Sequence, residues 1–196
     1  MVAARTANPS DTDAVAQALS LAFADDPLML YMLPRPAKRE KQMRAFFNSD
    51  MKRSLEKGAV YTTDGADCAG GAIWSAPNQW KMGGLELLSL APVMLAFGRD
   101  TPRALGILSK VEKVHPTEPH WYLAVLGTAP EHQGKGVGSA LMKPVLDKCD
   151  AEGIGAYLES SKESNIPFYR RHGFEVTGEI ATKDGPSLWP MWRDPR

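Results

Sequence analysis

Residues 121–139 read WYLAVLGTAPEHQGKGVGS, and the fold turns on how this stretch is read. Trp121 to Leu126 is apolar, aromatic and β-prone. Gly127 to Gln133 is a turn holding one proline. Gly134, Gly136 and Gly138 then alternate with Lys135 and Val137 and run into SALMKPVLDKC. The pattern predicts strand, glycine-rich turn, helix. A helix entered through glycines offers unpaired backbone N–H groups and the positive end of its dipole. That suits a pyrophosphate, which can approach where side chains are missing. A tight left-handed turn before a packed helix uses glycine for another reason, so residues elsewhere have to decide.

Two common phosphate patterns fail here. A P-loop needs Gly, four residues, then Gly-Lys-Ser/Thr. In this chain Ala129 stands five before Gly134, and Gly136 follows Lys135. A dinucleotide fingerprint counted from Gly134 needs a third glycine where Ser139 stands. What remains is Gln133-x-x-Gly136-x-Gly138.

The chain as a whole sets bounds. Its 196 residues suffice for one domain with a sizeable core. At 43% apolar and 23% charged it reads as an ordinary globular protein. Lys plus Arg and Asp plus Glu both total 23, which argues against a nucleic-acid partner. Cys68 and Cys149 show neither disulfide-framework nor metal-site spacing, and no metal is expected. The run LELLSLAPVMLAFG holds Glu86 and Pro92 and is too short to span a bilayer. The first residues show no signal-peptide pattern, so a cytoplasmic protein without a membrane partner is expected.

Along the chain, residues 2–6 predict a first strand, and Ser10 or Asp11 the cap of a helix with apolar Val15, Ala18, Leu19 and Ala22. The methionine-rich LMLYMLPRP, broken by Pro34 and Pro36, predicts an unstructured or single-turn apolar segment. Residues 38–57 predict a helix stopped by Gly58, and 59–63 and 69–75 a hairpin around DGAD. Residues 83–118 read as a helical insertion punctuated by prolines, with helices over 85–97 and 102–114. Val137, Leu141, Val145 and Cys149 recur every four residues, a buried helix face interrupted by Pro144. Residues 156–160 predict a strand, 165–172 a short helix, and 173–181 with 187–192 a closing hairpin.

A second motif lies at 158–174, LESSKESNIPFYRRHGF. Asn165, Tyr169, Gly173 and Phe174 resemble the N-x-x-A-x-x-x-Y-x-x-x-G-F helix of the GCN5-related N-acetyltransferases (GNAT superfamily), whose pyrophosphate loop Q/R-x-x-G-x-G/A matches Gln133, Gly136 and Gly138. Within that superfamily the chain is most similar to the puromycin N-acetyltransferases, densely over 118–178 and poorly over 27–118. The resemblance implies an α/β GNAT fold. That is a mixed, mostly antiparallel sheet of six to seven strands with a central splayed parallel pair, flanked by helices, plus the helical insertion. It implies a single domain over 1–196 with an acetyl-CoA-binding core at 121–174.

It also implies a reaction: direct transfer of the acetyl group of acetyl-CoA to a primary amine of a small molecule, aminonucleoside-like or an antibiotic. Leu126, Gly127 and Thr128 would pair with the pantetheine arm. Gln133, Gly134, Lys135, Gly136, Val137, Gly138 and Ser139 would cradle the pyrophosphate, Lys135 adding charge or standing as an exposed turn residue. Asn165 would bond the arm, cap its helix, or both. Tyr169 is the expected general acid for the departing thiolate. An amine of pKa near 10.4 costs roughly 4–5 kcal/mol to deprotonate at pH 7, an α-amino group about 1–1.5. Glu159, a charge in an apolar strand, is the candidate base. His120 is second, and His115, His132 and His172 read as surface or capping residues. Tyr31, Trp74, Trp80 and His120 are the candidates for the acceptor pocket. A protein lysine or N-terminal acetyltransferase and a non-catalytic acetyl-CoA sensor are the competing readings, and the protein is expected as a monomer or homodimer.

Overall fold

The structure is a computed structural model. It describes residues 2–56, 59–64, 68–81, 89–182 and 185–196. Gly58, the tip of the DGAD turn, residues 83–88 of the insertion and Lys183-Asp184 lie outside the described residues.

Strand β1 (Ala4–Thr6) leads to α1 (Thr12–Ala22) through a 3-10 turn. Asp11 stands at the N-cap of α1, one of the two residues the sequence suggests, without a side-chain cap bond, and the preceding 3-10 turn is capped by Asn8. Its side chain accepts from Ser10 N while Asp11 accepts from Asn8 N, a reciprocal capping box. Arg5 holds both oxygens of Asp11 at 2.7 and 2.8 Å.

Of the two alternatives for LMLYMLPRP, unstructured or single-turn, the structure has the short helix α2 (Pro27–Met32). Asp26 explains it: one carboxylate oxygen takes the N–H groups of Leu28 and Met29, and Pro27 sits at the first helical position. α3 (Pro36–Leu55) buries Met43, Phe47 and Met51. β2 (Val60–Thr63) and β3 (Gly70–Ser75) follow.

The insertion contributes α4 (Ala91–Phe97) and α5 (Thr101–Val114). Then come β4 (His120–Thr128), α6 (Val137–Glu152), β5 (Gly155–Ser160), α7 (Ile166–Arg171), β6 (Glu175–Val176) and β7 (Trp189–Arg193).

Among the described residues the strands form one seven-stranded sheet, ordered β1-β2-β3-β4-β5-β7-β6. Every pairing is antiparallel except β4 with β5. The closing hairpin is shorter than its sequence suggests. β6 holds two residues, Ile180 and Leu188 form an isolated bridge beyond it, and β7 sits between β5 and β6.

Strand alternation sends side chains to two cores. Val60, Ile73 and Val125 pack with Val15, Leu19, Phe47, Phe97 and Ile107 on one face. Trp74, Leu123, Leu158 and Met191 pack with Leu141, Val145 and Cys149 of α6 on the other. α1 lies close against β3 and β4. A Cβ on Gly127 would come within 2.7 Å of Leu19, and one on Gly71 within 2.6 Å of Val15.

The insertion is clamped to α3. Arg35 reaches Asp100 at 2.6 Å, and Gln42 Nε2 donates to the same carboxylate oxygen at 3.2 Å. Burial works against the Asp100 charge, but Arg35 and Gln42 overcome it and hold the carboxyl below its ordinary range. We expect Asp100→Ala to lose about 1–3 kcal/mol in urea unfolding at neutral pH. A depressed folded pKa makes this contribution complete above the unfolded value near pH 3.9 and removes it as pH falls through the folded one. The gap between variant and wild type should therefore close in acid.

Candidate active site

The site begins where two strands part. β4 and β5 pair from His120 with Gly155 to Leu123 with Leu158. Beyond that, Glu159 and Ser160 of β5 pair with Pro190 and Trp189 of β7, while β4 continues beside β3 to Thr128. The register of β3 with β4 slips at this point: Ile73 faces Val125 but Trp74 faces Leu123. Ala124 is left over as a bulge residue, and bulges bend the strand that carries them. The β5-facing edge of β4 past Leu123 thus has no ladder partner among the described residues. Its peptide groups are available to an extended, amide-bearing ligand.

At the end of that edge stands the glycine turn. Gly134 and Gly136 have φ of +73° and +81°, the left-handed region that favours glycine. A Cβ on either would meet no described atom within 4 Å. Gly136 starts the 16-residue α6 with no side chain capping it. The first-turn N–H groups therefore face open space, as a pyrophosphate requires. Gln133 Nε2 closes the turn onto the Thr128 carbonyl at 3.2 Å. Val137 is buried and anchors the helix start, while Lys135 is exposed and stands outside the cavity lining.

Strand gap and glycine turn open into one cavity of about 970 Å³. Leu126, Gly127, Thr128, Gln133, Gly134, Gly136 to Ser139, Asn165, Tyr169 and Glu159 all line it. Its far wall is apolar, built by Phe23, Met29, Phe46, Phe97 and Ile107 of α1 to α5. Asp50, Arg53 and Trp80 also reach it. Asn165 makes no side-chain cap bond, which leaves its carboxamide free of the capping role considered for it. Tyr169 is 8% exposed. Burial, with the Asp26 charge adding to it, pushes its phenol well above the usual range.

Glu159 sits in a polar cluster at the cavity floor. Tyr122 donates its hydroxyl proton to one carboxylate oxygen at 2.8 Å. The other oxygen lies 3.6 Å from Nδ1 of His115. Nε2 of His115 is 3.0 Å from Nε2 of His120, and Nδ1 of His120 is 2.7 Å from the Glu118 carbonyl. Burial and Glu159 push the phenols of Tyr122 and Tyr157 far up. The indole of Trp80 stacks on His115 at 3.6 Å.

Three of the four candidates for the acceptor pocket do not line it. Trp74 is 1% exposed and packs against α6, because it is one residue out of phase with the cavity-facing Ile73. Tyr31 lies under Arg103 of α5 and beside Gly185, away from the opening. His120 is buried behind His115. Trp80 does line the cavity. His115, expected as a surface or capping residue, does stand at the C-cap of α5, but it is 6% exposed and enclosed by Trp80, Tyr122 and Tyr157. Its position after α5 gave no periodic signal, and Tyr122 read only as a strand aromatic. His172 bonds the Phe168 carbonyl at the end of α7, the capping place expected for it.

Residues 72–174, more than half of the chain, match the model of the Acetyltransferase (GNAT) family. The chain belongs to that family. It is an acyl-CoA-dependent N-acetyltransferase with a GNAT fold. An uncharacterised N-acetyltransferase of Schizosaccharomyces pombe is 29% identical over 200 residues, covering 95% of this chain and 80% of the relative. A Corynebacterium glutamicum structure described as histone acetyltransferase HPA2 and related acetyltransferase superposes with a TM-score of 0.74 at 26% identity, over 100% of this chain and 97% of that one. The Drosophila melanogaster polyamine N-acetyltransferase, an enzyme that forms N-acetylagmatine, superposes at 0.67 with 14% identity, over 99% of this chain and 100% of that one. At that identity it speaks for the fold. Among the described residues no helix is long and apolar enough to cross a membrane, and no group of three or more His, Cys, Asp or Glu is arranged to hold a metal.

Replacing Gly136 puts a side chain into the open space before α6 and strains a left-handed position. We expect Gly136→Val to raise the KM for acetyl-CoA at least tenfold in steady-state assays, with a stability cost of about 1–3 kcal/mol.

Proposed function

We propose that this acetyltransferase moves the acetyl group of acetyl-CoA directly to the primary amine of a small, largely apolar molecule. The observation that carries the reading is the cavity itself. One chamber joins the strand gap and glycine turn to an apolar wall from α1 to α5, with Glu159 and Tyr169 both on its surface. A protein substrate needs an open, elongated groove, whereas α4 and α5 stand over this chamber as side walls. An aminonucleoside of the puromycin type is the acceptor suggested by the likeness over residues 118–178.

In this reading backbone N–H groups of Gly134 to Ser139 bind the pyrophosphate. The free edge from Ala124 to Thr128 and the Asn165 carboxamide align the acyl arm, so that much of the acceleration comes from orientation. Glu159 takes a proton from the arriving ammonium. The freed nitrogen pair attacks the thioester carbon, a C–N bond forms and the C–S bond breaks. A backbone N–H near Leu126 steadies the oxyanion. Tyr169 gives its proton to the departing thiolate, and the second amine proton balances that donation.

The raised phenol pKa keeps Tyr169 protonated across neutral and moderately alkaline pH. A donor loses function only above its own pKa, so no alkaline limb below about pH 10 should belong to Tyr169. We expect Tyr169→Phe to lower kcat about 100-fold with little change in the KM for acetyl-CoA. Thiol-release rates with arylalkylamines, aminonucleosides, polyamines and lysine peptides test the acceptor class. Apolar small amines should give the largest kcat/KM, and a preference for peptides would overturn the reading.

A further inference from the structure

The cluster behind Glu159 has hydrogen bonds that can be assigned from one fixed point. The carbonyl of Glu118 only accepts, so Nδ1 of His120, 2.7 Å away, carries a proton. Neutral His120 then has a bare Nε2, and His115 must donate to it from its own Nε2 at 3.0 Å. That leaves Nδ1 of neutral His115 bare as well. It faces Oε1 of Glu159 at 3.6 Å, and both atoms are buried without a hydrogen-bond partner. The second oxygen of Glu159 is already taken by the Tyr122 hydroxyl. The hydroxyl of Tyr157, buried and likewise without a hydrogen-bond partner, also acts on this carboxylate, but between Nδ1 and Oε1 two buried acceptors confront each other across a gap that lacks one hydrogen. A single proton there would satisfy both, and unsatisfied buried acceptors are costly.

We infer that His115 is the proton-holding partner of Glu159: the proton that Glu159 takes from the acceptor amine is shared with Nδ1 of His115. This rests on Glu159 acting as the base. The N–H bond of the ammonium breaks, its electron pair stays on nitrogen, and the proton goes to the Glu159 carboxylate. From there it reaches His115, giving an imidazolium beside a carboxylate. When the amide has left, the proton returns through Glu159 to water in the cavity.

The surroundings support storage at His115 rather than onward transfer. Its ring is wedged between Trp80, stacked at 3.6 Å, and the edges of Tyr122 and Tyr157. Lys81 lies over Trp80 at 5.1 Å, and the Asp50 charge acts on Tyr122. Behind it, burial and the His115 charge depress the basicity of His120, with Glu118 and Glu159 opposing them. His115 itself does not line the cavity, so it acts through Glu159 as a positioning residue.

The test uses 2-phenylethylamine and its weakly basic analogue 2,2-difluoro-2-phenylethylamine, with kcat/KM measured against pH. Phe at position 115 keeps a ring for Trp80 to stack on and removes both nitrogens. With His115→Phe, the basic amine should lose about 10–100-fold more than the weakly basic one, and the difference should shrink as pH rises. Equal losses for the two amines at every pH would overturn the inference. Glu159→Gln separates the two claims. If that variant shows no dependence on amine basicity, the base assignment fails. If it does and His115→Phe does not, only the role of His115 fails. Should His115→Phe not fold, imidazole nitrogen NMR of the wild type decides. His115 should be the Nε2–H tautomer at high pH and gain its Nδ1 proton while His120 remains neutral. A neutral Nδ1–H His115, or His120 charging first, would contradict the inference.

Discussion

A backbone N–H or C=O on a buried strand needs a partner, and a parallel pair supplies it only while the two chains stay side by side. β4 and β5 meet that condition as far as Leu123 and Leu158 and then separate. The bulge at Ala124 bends β4, while β5 stays paired along its other edge with β7 from Ala156 to Ser160. The open edge that results runs straight into an uncapped helix start at Gly136. One strand therefore presents an unpaired edge and, after a short turn, an uncapped helix start, the groups proposed to receive the acyl arm and the pyrophosphate. The rest of the molecule holds this gap open: α1 pressed onto Gly71 and Gly127 on one face, and α6 packed beneath Trp74 and Leu123 on the other.

The two groups proposed to handle protons reach the gap from different elements. Glu159 comes from β5, and its carboxylate is held by Tyr122 of β4 with His115 beyond it. Tyr169 comes from α7, where the fold buries its ring and keeps its proton on. The insertion reaches Glu159 through His115, the residue that ends α5. α4 and α5, tied to α3 through Asp100, shape the acceptor end. The insertion thus meets the cavity at its apolar wall and, through His115, behind Glu159.

What is legible in the sequence is what is local. The strand, turn and helix of 121–139 are local, and their glycines and apolar periodicity could be read directly. Strand alternation was legible in pattern but not in phase, so Trp74 was assigned to the pocket when Ile73 is its cavity-facing neighbour. For 28–36 the sequence leaves an unstructured or a single-turn segment open, and the capping aspartate decides for the short helix α2. His115 was missed because its environment is assembled from β3's following loop, β4 and β5, segments far apart in the chain. Contacts of that kind carry no short-range signature.

The central claim is that the edge of β4 and the start of α6 receive the acyl-CoA. Amide hydrogen exchange with and without acetyl-CoA tests it most directly. The account requires slower exchange in peptides covering residues 124–128 and 133–139, with 120–123, already paired to β5, changing little. Protection that appears elsewhere while 124–128 and 133–139 keep their free-state rates would contradict it.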